Sequence, residues 1–114
     1  MRKVNFICVG IQRSGTTWLY NNLKLHPQIN LPDKKELHYY DRNLDKGIEW
    51  YLSNFNPKKE LLTGDITPNY IHDKSIAKKI YDDFNNSVKI IINLREPTDF
   101  IRSTYLKRKR SHGE

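Results

Sequence analysis

A short glycine-bounded segment, Gly10–Thr17, constrains the fold of this chain more than any other feature. Its sequence, GIQRSGTT, follows an apolar, β-favouring run at Lys3–Val9 and leads into a segment with helical spacing at Thr16–Leu25. Glycines at G-x-x-x-x-G spacing let the backbone turn sharply and aim its N–H groups, with the N-terminus of the new helix, at an anion. The segment predicts a strand, loop and helix with a phosphate or sulfonate site; a tight turn with incidental glycines is the alternative.

Strands and helices alternate along the remainder of the chain. Apolar β-favouring runs predict two further strands, and helical periodicity with caps and breakers predicts three further helices. The strands are Leu61–Ile66 and Val88–Leu94, and the helices are Ile48–Phe55, a segment capped by Ser75 that ends after Phe84, and Pro97 to about Lys109. Gln28–Leu37 is predicted to be a loop, and Val88–Leu94 a central strand buried on both faces.

This alternation indicates an α/β protein of three layers, a P-loop-like fold around a mostly parallel central sheet. Three strands make a thin sheet for this class, so we expect the domain to be incomplete at its C-terminus. A length of 114 residues suits a single domain. We interpret residues 1–114 as the N-terminal portion of that domain.

Composition narrows the range of functions. The sequence holds no apolar run of the ~20 residues that a membrane helix needs, so no membrane span is expected. Lys and Arg total 20 against 13 Asp and Glu, a formal net charge of +7, which favours an anionic partner. The single cysteine, Cys8, is typical of a reducing compartment and predicts a cytoplasmic location.

The loop departs from that of nucleoside triphosphatases at its main cation. Thr16 stands where such an enzyme carries Lys, and the cation is instead Arg13, inside the loop. This disfavours magnesium-dependent ATP hydrolysis and leaves a degenerate P-loop kinase or NTPase as an alternative. His26, His72 and His112 lack the paired spacing of metal ligands, so no metal site is predicted.

The motifs together resemble those of a known enzyme family. Gly10–Leu19 followed by Leu25–Pro27 resembles the 5′-phosphosulfate loop of sulfotransferases that use 3′-phosphoadenosine 5′-phosphosulfate (PAPS), in the form found in heparan sulfate and related bacterial enzymes. Three later segments resemble further family blocks in the same order: Lys35–Asp41 followed by Lys46–Tyr51, then Asp65–Tyr70, then Ile92–Asp99 followed by Ile101–Tyr105.

The resemblance implies an enzyme that transfers a sulfonate from PAPS to a hydroxyl or amine of an acceptor, with a carbohydrate as the favoured acceptor class, and without a metal. In the family pattern Glu36 is the general base, Arg13 is the catalytic cation and His38 orients the reacting groups. The implied donor-binding residues are Arg13, Ser14, Gly15, Thr16, Thr17, Trp18, Arg95 and Ser103. The sequence departs from the family at Arg13 and Ile66, where members commonly carry Lys, and at Phe100, where many carry Arg.

Several of these residues also have a purely structural interpretation. Glu36 is then a solvated acid paired with a neighbouring lysine, His38 a packed histidine, Arg95 a partner in a strand-end salt bridge and Ser103 an ordinary helix serine. The aromatic residues Trp18, Trp50, Tyr51 and Tyr70 fit either an acceptor channel or, for most of them, the core.

The basic run Lys107–Arg110 suggests a different class of function, a nucleic-acid-binding module. No aromatic platform or recognised module accompanies it, so nucleic acid is disfavoured as a partner and a solvated helix end is the simpler interpretation. An inactive truncated fragment is the remaining alternative to a working sulfotransferase.

Overall fold

The computed structural model describes residues 4–55, 61–94, 101–102 and 105–107. Within these ranges the chain forms a four-stranded sheet in which every neighbouring pair is parallel. The strands are β1 (Phe6–Gly10), β2 (Ile29–Asn30), β3 (Leu62–Ile66) and β4 (Lys89–Ile92). Their order across the sheet is β2-β3-β1-β4, so β1 and β3 lie inside it.

Helices connect the strands. They are α1 (Thr16–Lys24), α2 (Tyr39–Arg42), α3 (Ile48–Ser53) and α4 (Lys74–Phe84), with short 3₁₀ turns at Leu44–Lys46 and Tyr70–His72. Residues 101–102 and 105–107 are also helical, within the last helix predicted from the sequence. Across the ranges described above, none of the helices combines the length and the apolar character needed to cross a membrane.

The central strand β1 explains why both faces of the sheet are covered. All five of its residues are buried, and successive side chains point to opposite faces. Ile7 and Val9 belong to a cluster that includes residues of α2, α3 and α4, whereas Phe6 and Cys8 pack in a second cluster with Tyr20 of α1. The sheet therefore lies between two apolar layers, and the predicted three-layer α/β fold with a mostly parallel sheet is confirmed.

The segment Gln28–Leu37, predicted to be a loop, contains a strand that sequence reasoning missed. β2 has only two residues, and Ile29 and Asn30 pair with Leu62 and Thr63 of β3. A run this short carries no periodicity, so only its partner in space identifies it. The described sheet therefore has four strands, not the three predicted.

β4 is not buried on both faces, so this prediction from its apolar sequence is wrong for the part of the chain that the structure describes. The strand pairs with β1 at the edge of the described sheet, and Ile90 and Ile92 are each 49% exposed. Both residues line an apolar groove of about 640 Å³ between β4 and α4. An apolar run shows that a strand can be buried, but the elements that flank it in space decide whether it is.

The start of α4 also differs from the prediction. The cap is Asp73, not Ser75: the Asp73 carboxylate accepts hydrogen bonds from the backbone N–H of Ser75 at 2.9 Å and from its hydroxyl at 2.8 Å. Asp and Ser are both favoured at this position, so composition alone does not choose between them. The helix consequently begins at Lys74.

Four tyrosines, Tyr39, Tyr40, Tyr51 and Tyr70, form an aromatic cluster between the sheet and α4, here called the tyrosine core. Tyr39 stacks on Tyr51 with ring centroids 4.6 Å apart, and Tyr40 packs edge-on against Tyr70 at 5.5 Å. Both geometries are among the favoured aromatic arrangements. Tyr51 and Tyr70 thus take the core alternative left open by the sequence, whereas Trp18 is 68% exposed.

A fully buried carboxylate, that of Asp65 in β3, lies beside the tyrosine core. Its Oδ2 accepts hydrogen bonds from the hydroxyls of Tyr51 at 2.8 Å and Tyr70 at 3.1 Å, and its Oδ1 accepts one from Thr67 at 2.8 Å. Burial raises the pKa of the Asp65 carboxyl, and the three donated hydrogen bonds oppose that rise. The polar group is therefore satisfied, as a buried carboxylate must be.

We expect Asp65 to make the stability of the protein depend on pH. Folding raises the pKa of the Asp65 carboxyl above its unfolded value of about 3.9. The contribution of Asp65 to the free energy of unfolding is therefore fully present when the pH is below the unfolded pKa, and it is lost as the pH rises through the folded pKa. The free energy of unfolding should therefore fall more steeply with rising pH in the wild type than in Asp65→Asn, as measured by urea titration at a series of pH values.

A control of opposite sign tests the same measurement. The two hydrogen bonds from Ser75 lower the pKa of Asp73, so its contribution is present above the unfolded value and is lost as the pH falls. The free energy of unfolding should therefore fall less on acidification in Asp73→Asn than in the wild type. Parallel pH profiles for the wild type and Asp65→Asn would contradict the expectation for Asp65.

Candidate functional site

The loops after β1, β2 and β3 meet at one edge of the sheet. The carboxyl ends of parallel strands share an edge, and open α/β sheets bind their ligands there. The loops contribute to a polar pocket of about 370 Å³. Its lining residues are Gln12, Arg13, Thr16, Thr17, Lys35, Glu36, His38, Arg42, Pro68, Asn69 and Lys107.

The loop after β1 is fixed by contacts with the residue that follows β4. The Asn93 backbone N–H donates to the carbonyl of Gly10 at 2.7 Å, and the Asn93 carbonyl accepts from the N–H of Ile11 at 3.0 Å. The side-chain amide of Asn93 donates to the carbonyl of Ser14 at 3.1 Å, and the Ser14 hydroxyl donates to the carbonyl of Ile11. These contacts hold the loop after β1 against the residue that follows the neighbouring parallel strand, β4.

α1 begins at the end of this loop. Gly15 is its N-cap, with φ of +88°, a left-handed conformation that glycine adopts without steric cost. Thr16, the first residue of α1, is buried, and Thr17 is exposed. The first N–H groups of a helix have no acceptor within the helix, so this end of α1 is suited to an anion beside Arg13.

Glu36 and His38 lie on the loop that precedes α2, and their side chains meet. His38 Nε2 is 3.5 Å from Glu36 Oε2, and the ammonium of Lys35 is 3.3 Å from the other carboxylate oxygen, Oε1. The Glu36 side chain is 30% exposed, so it is accessible from the pocket. Each oxygen of the Glu36 carboxylate thus has a nitrogen nearby, which fixes its orientation.

Asp41 completes this arrangement, and sequence reasoning assigned it no role. Its Oδ2 is 3.0 Å and its Oδ1 3.3 Å from His38 Nδ1. Asp41, His38 and Glu36 therefore form a chain of carboxylate, imidazole and carboxylate. A carboxylate on one ring nitrogen sets the orientation of the imidazole and which nitrogen carries a proton. The signal in the sequence was the three-residue spacing of His38 and Asp41, which puts both side chains on one face of a helical turn.

The backbone conformation singles out the same residues. In the described ranges, four residues other than glycine have positive φ: Arg13 at +63°, Glu36 at +60°, His38 at +53° and Asn85 at +54°. The first three are the predicted catalytic residues. Left-handed conformations cost non-glycine residues about 1–3 kcal/mol and are concentrated at functional sites.

The structure brings five of the predicted site residues together in the pocket: Arg13, Thr16, Thr17, Glu36 and His38. Ser14 and Gly15 lie in the loop beside them. Trp18 is on α1 with an exposed side chain and is not part of the lining described above. Arg95 and Ser103 lie outside the described residues. The assigned roles of all these residues stay predictions.

Three lysine and arginine residues of the lining were not predicted as site residues: Lys35, Arg42 and Lys107. Lys35 was identifiable only as a neighbour of Glu36, and Lys107 only as the first residue of the basic run. Arg42 gave no signal, because its position in the pocket depends on how α2 is placed against the sheet. With Arg13, they give the pocket a positive charge.

Comparison with known proteins agrees with the family resemblance. The Sulfotransferase domain family matches residues 3–113. The membrane-associated sulfotransferase kil1 of Dictyostelium discoideum is 38% identical over 117 residues, which is 94% of this chain and 25% of that protein. Human heparan sulfate glucosamine 3-O-sulfotransferase 5 is 33% identical over 102 residues, which is 87% of this chain and 29% of that protein.

A solved structure of a sulfotransferase has the same fold. The crystal structure of a sulfotransferase from Alicyclobacillus acidocaldarius superimposes with a TM-score of 0.85 and 28% sequence identity, covering 100% of this chain and 53% of that one. The chain thus spans about half of that structure and under a third of the two curated relatives. The motifs, the fold and the match over residues 3–113 lead to one conclusion: this chain belongs to the sulfotransferase domain family.

Proposed function

We propose that this chain carries the sulfonate-transferring centre of an enzyme that uses PAPS as donor and a hydroxyl or amine of a carbohydrate as acceptor. The observation that carries the proposal is the polar pocket, whose lining brings Arg13 and the first residues of α1 together with Glu36 and His38, the latter held by Asp41. Family membership supports sulfonate transfer as the reaction. The donor and acceptor are inferred from the resemblance and from the chemistry of the pocket.

The loop after β1 would hold the 5′-phosphosulfate of the donor. Backbone N–H groups at the start of α1, the hydroxyls of Thr16 and Thr17 and the guanidinium of Arg13 are donors suited to phosphate and sulfonate oxygens. Arg95 and Ser103 would bind the 3′-phosphate by analogy with the family. The donor supplies the sulfonate and a phosphate leaving group, and no metal is included in the proposal.

Glu36 would accept the proton of the acceptor hydroxyl or amine as the oxygen or nitrogen attacks sulfur. The new bond to sulfur forms while the bond between sulfur and the bridging oxygen breaks, and that oxygen retains the electron pair on 3′-phosphoadenosine 5′-phosphate. Arg13 and the N-terminus of α1 would stabilise the charge that develops there. His38, oriented by Asp41, would keep the Glu36 carboxylate aimed at the acceptor.

An acidic carbohydrate fits the charge of the pocket. Lys35, Arg42 and Lys107 line it together with Arg13, and among the lining residues that the structure describes Glu36 is the only carboxylate. One of the relatives described above is a heparan sulfate glucosamine 3-O-sulfotransferase, whose name gives a glycan as its acceptor.

We include in the same proposal that the chain is the N-terminal part of a longer sulfotransferase domain. We also include a reducing, cytoplasmic compartment, which suits the single thiol, Cys8, buried in β1.

Binding of the desulfated donor tests the proposed site directly. We expect 3′-phosphoadenosine 5′-phosphate to bind saturably in a calorimetric titration and more tightly than ATP with magnesium. Arg13→Ala should weaken it by roughly 10- to 100-fold, because a hydrogen bond to a charged group contributes about 1.5–3 kcal/mol. Lys78→Ala, which removes the same charge from the exposed face of α4, should change the affinity less than about 2-fold. Equal weakening by both variants, or tighter binding of ATP with magnesium, would contradict the proposal.

A substitution of Glu36 tests whether this residue acts in sulfonate transfer and not in donor binding. Glu36→Gln keeps the size of the side chain but removes the base, so transfer of labelled sulfonate from PAPS to a desulfated heparan acceptor should fall by about 10²- to 10⁴-fold. The affinity for 3′-phosphoadenosine 5′-phosphate should stay within about 3-fold, since the proposed donor contacts come from other residues. Glu49→Gln, on α3 and outside the pocket lining, is the matched control. Undiminished transfer by Glu36→Gln would exclude Glu36 as the base.

The left-handed backbone at Glu36 predicts that glycine is more stabilising than alanine at this position, the reverse of their order inside a helix. Glycine carries no steric cost at φ of +60°, so Glu36→Gly should be more stable than Glu36→Ala by about 1 kcal/mol. At Lys78 inside α4 the order should reverse, with Lys78→Ala more stable than Lys78→Gly by about 1 kcal/mol. Urea denaturation of the four variants measures both differences. The same order at both positions would contradict the strained conformation at Glu36.

A further inference from the structure

The hydroxyl of Tyr70 occupies a position that no other tyrosine of the core shares. It donates a hydrogen bond to Asp65 Oδ2 at 3.1 Å and accepts one from the backbone N–H of Tyr39 at 3.0 Å. Tyr39 is the residue directly after His38 and the first residue of α2. One side chain thus connects a buried carboxylate to the backbone of the loop that carries Glu36 and His38.

This contact takes the place of a helix cap. The first N–H groups of a helix have no acceptor within it, and a side chain at the N-cap usually supplies one. The N-cap of α2 is His38, which makes no such hydrogen bond, because its ring is turned towards Glu36 and Asp41. The Tyr70 hydroxyl caps the Tyr39 N–H from across the core, and this leaves the imidazole of His38 available for the site.

The loop needs such a restraint. Both Glu36 and His38 have left-handed backbone conformations, which relax unless surrounding contacts hold them. Asn43 supports the loop from one side, since its amide donates to the carbonyls of Leu37 at 3.3 Å and His38 at 3.0 Å. Tyr70 restrains the other side of His38, at the next peptide N–H. Its ring is 1% exposed, so the hydroxyl is held by packing as well as by Asp65.

We propose that Tyr70 is a positioning residue of the reaction, whose hydroxyl, anchored on Asp65, caps α2 and holds Glu36 and His38 in the geometry needed to accept the proton of the acceptor. The inference rests on the proposed function in one respect, the catalytic use of Glu36. The anchoring itself depends only on the contacts of Tyr70. Neither the affinity for the donor nor the shape of the loop after β1 is expected to depend on Tyr70. The proposed donor contacts come from other residues, and the loop is held by Asn93.

Tyr51 provides a closely matched control. Its hydroxyl also donates to Asp65 Oδ2, at 2.8 Å, and its ring is likewise fully buried in the tyrosine core. Tyr70→Phe and Tyr51→Phe therefore each remove one buried hydrogen bond to the same oxygen. Only Tyr70→Phe also removes the acceptor for the Tyr39 N–H. Any effect confined to Tyr70→Phe therefore reports on the cap and not on general loss of stability.

The experiment is hydrogen exchange and ¹⁵N NMR of the whole chain and both variants. Tyr70→Phe should accelerate exchange of the Tyr39 amide by about 10-fold beyond the change in Tyr51→Phe, as expected for loss of one hydrogen bond. It should also shift the ring ¹⁵N resonances of His38, which report the protonation and tautomer of the imidazole, while Tyr51→Phe leaves them in place. Titration with 3′-phosphoadenosine 5′-phosphate should give the same affinity for both variants within about 2-fold.

The outcomes separate this inference from the proposed function. Equal changes at Tyr39 and His38 in the two variants would overturn the positioning role, whether or not the bisphosphate binds. If Tyr70→Phe shows the expected changes but the wild type does not bind the bisphosphate, the anchoring role of Tyr70 is supported and the proposed function is contradicted. If Tyr70→Phe does not fold, exchange of the Tyr39 amide in the wild type decides: protection like that of the β1 amides supports the cap, and exchange at the rate of an exposed loop overturns it.

Discussion

The hydrogen-bonded carboxylate of Asp65 is the interaction on which the site edge of this protein depends. It joins α3, through Tyr51, to the segment that follows β3, through Thr67 and through Tyr70 in the second 3₁₀ turn. A carboxylate removed from water must have all its strong acceptor positions occupied, so these hydroxyls are held in one arrangement. Through Tyr70 that arrangement reaches the backbone beside His38.

A second constraint is the parallel sheet, which brings the loops to one edge. The loop with Arg13 follows β1, the loop with Glu36 and His38 follows β2, and Asn69 follows β3. The site therefore combines a rigid framework with three residues in left-handed backbone conformations, Arg13, Glu36 and His38. Stability is lost locally at these residues, and the buried contacts around them restrain the geometry. Such a local loss of stability is what a functional site requires when its geometry must be held away from the relaxed conformation, and it agrees with the proposed function.

Much of this arrangement was predictable from local sequence. The spacing of Gly10 and Gly15 predicted the strand, loop and helix around the proposed donor site, and alternation of apolar runs predicted the α/β layers. Pattern reasoning failed where the partner in space decides the outcome. β2 was missed because two residues carry no period, and β4 was predicted to be buried because its apolar sequence does not reveal that Ile90 and Ile92 lie at the edge of the described sheet.

The sequence by itself determined the chemistry available: a glycine-bounded loop with Arg13, a carboxylate at Glu36 and a family resemblance that the match over residues 3–113 confirms. These features are local, because backbone freedom and side-chain type belong to individual residues. Only the tertiary structure decided that Arg42 and Lys107 reach the same pocket and that Tyr70 caps α2. Each of these depends on the distance between elements, which is set by packing around β1 and not by any spacing along the chain.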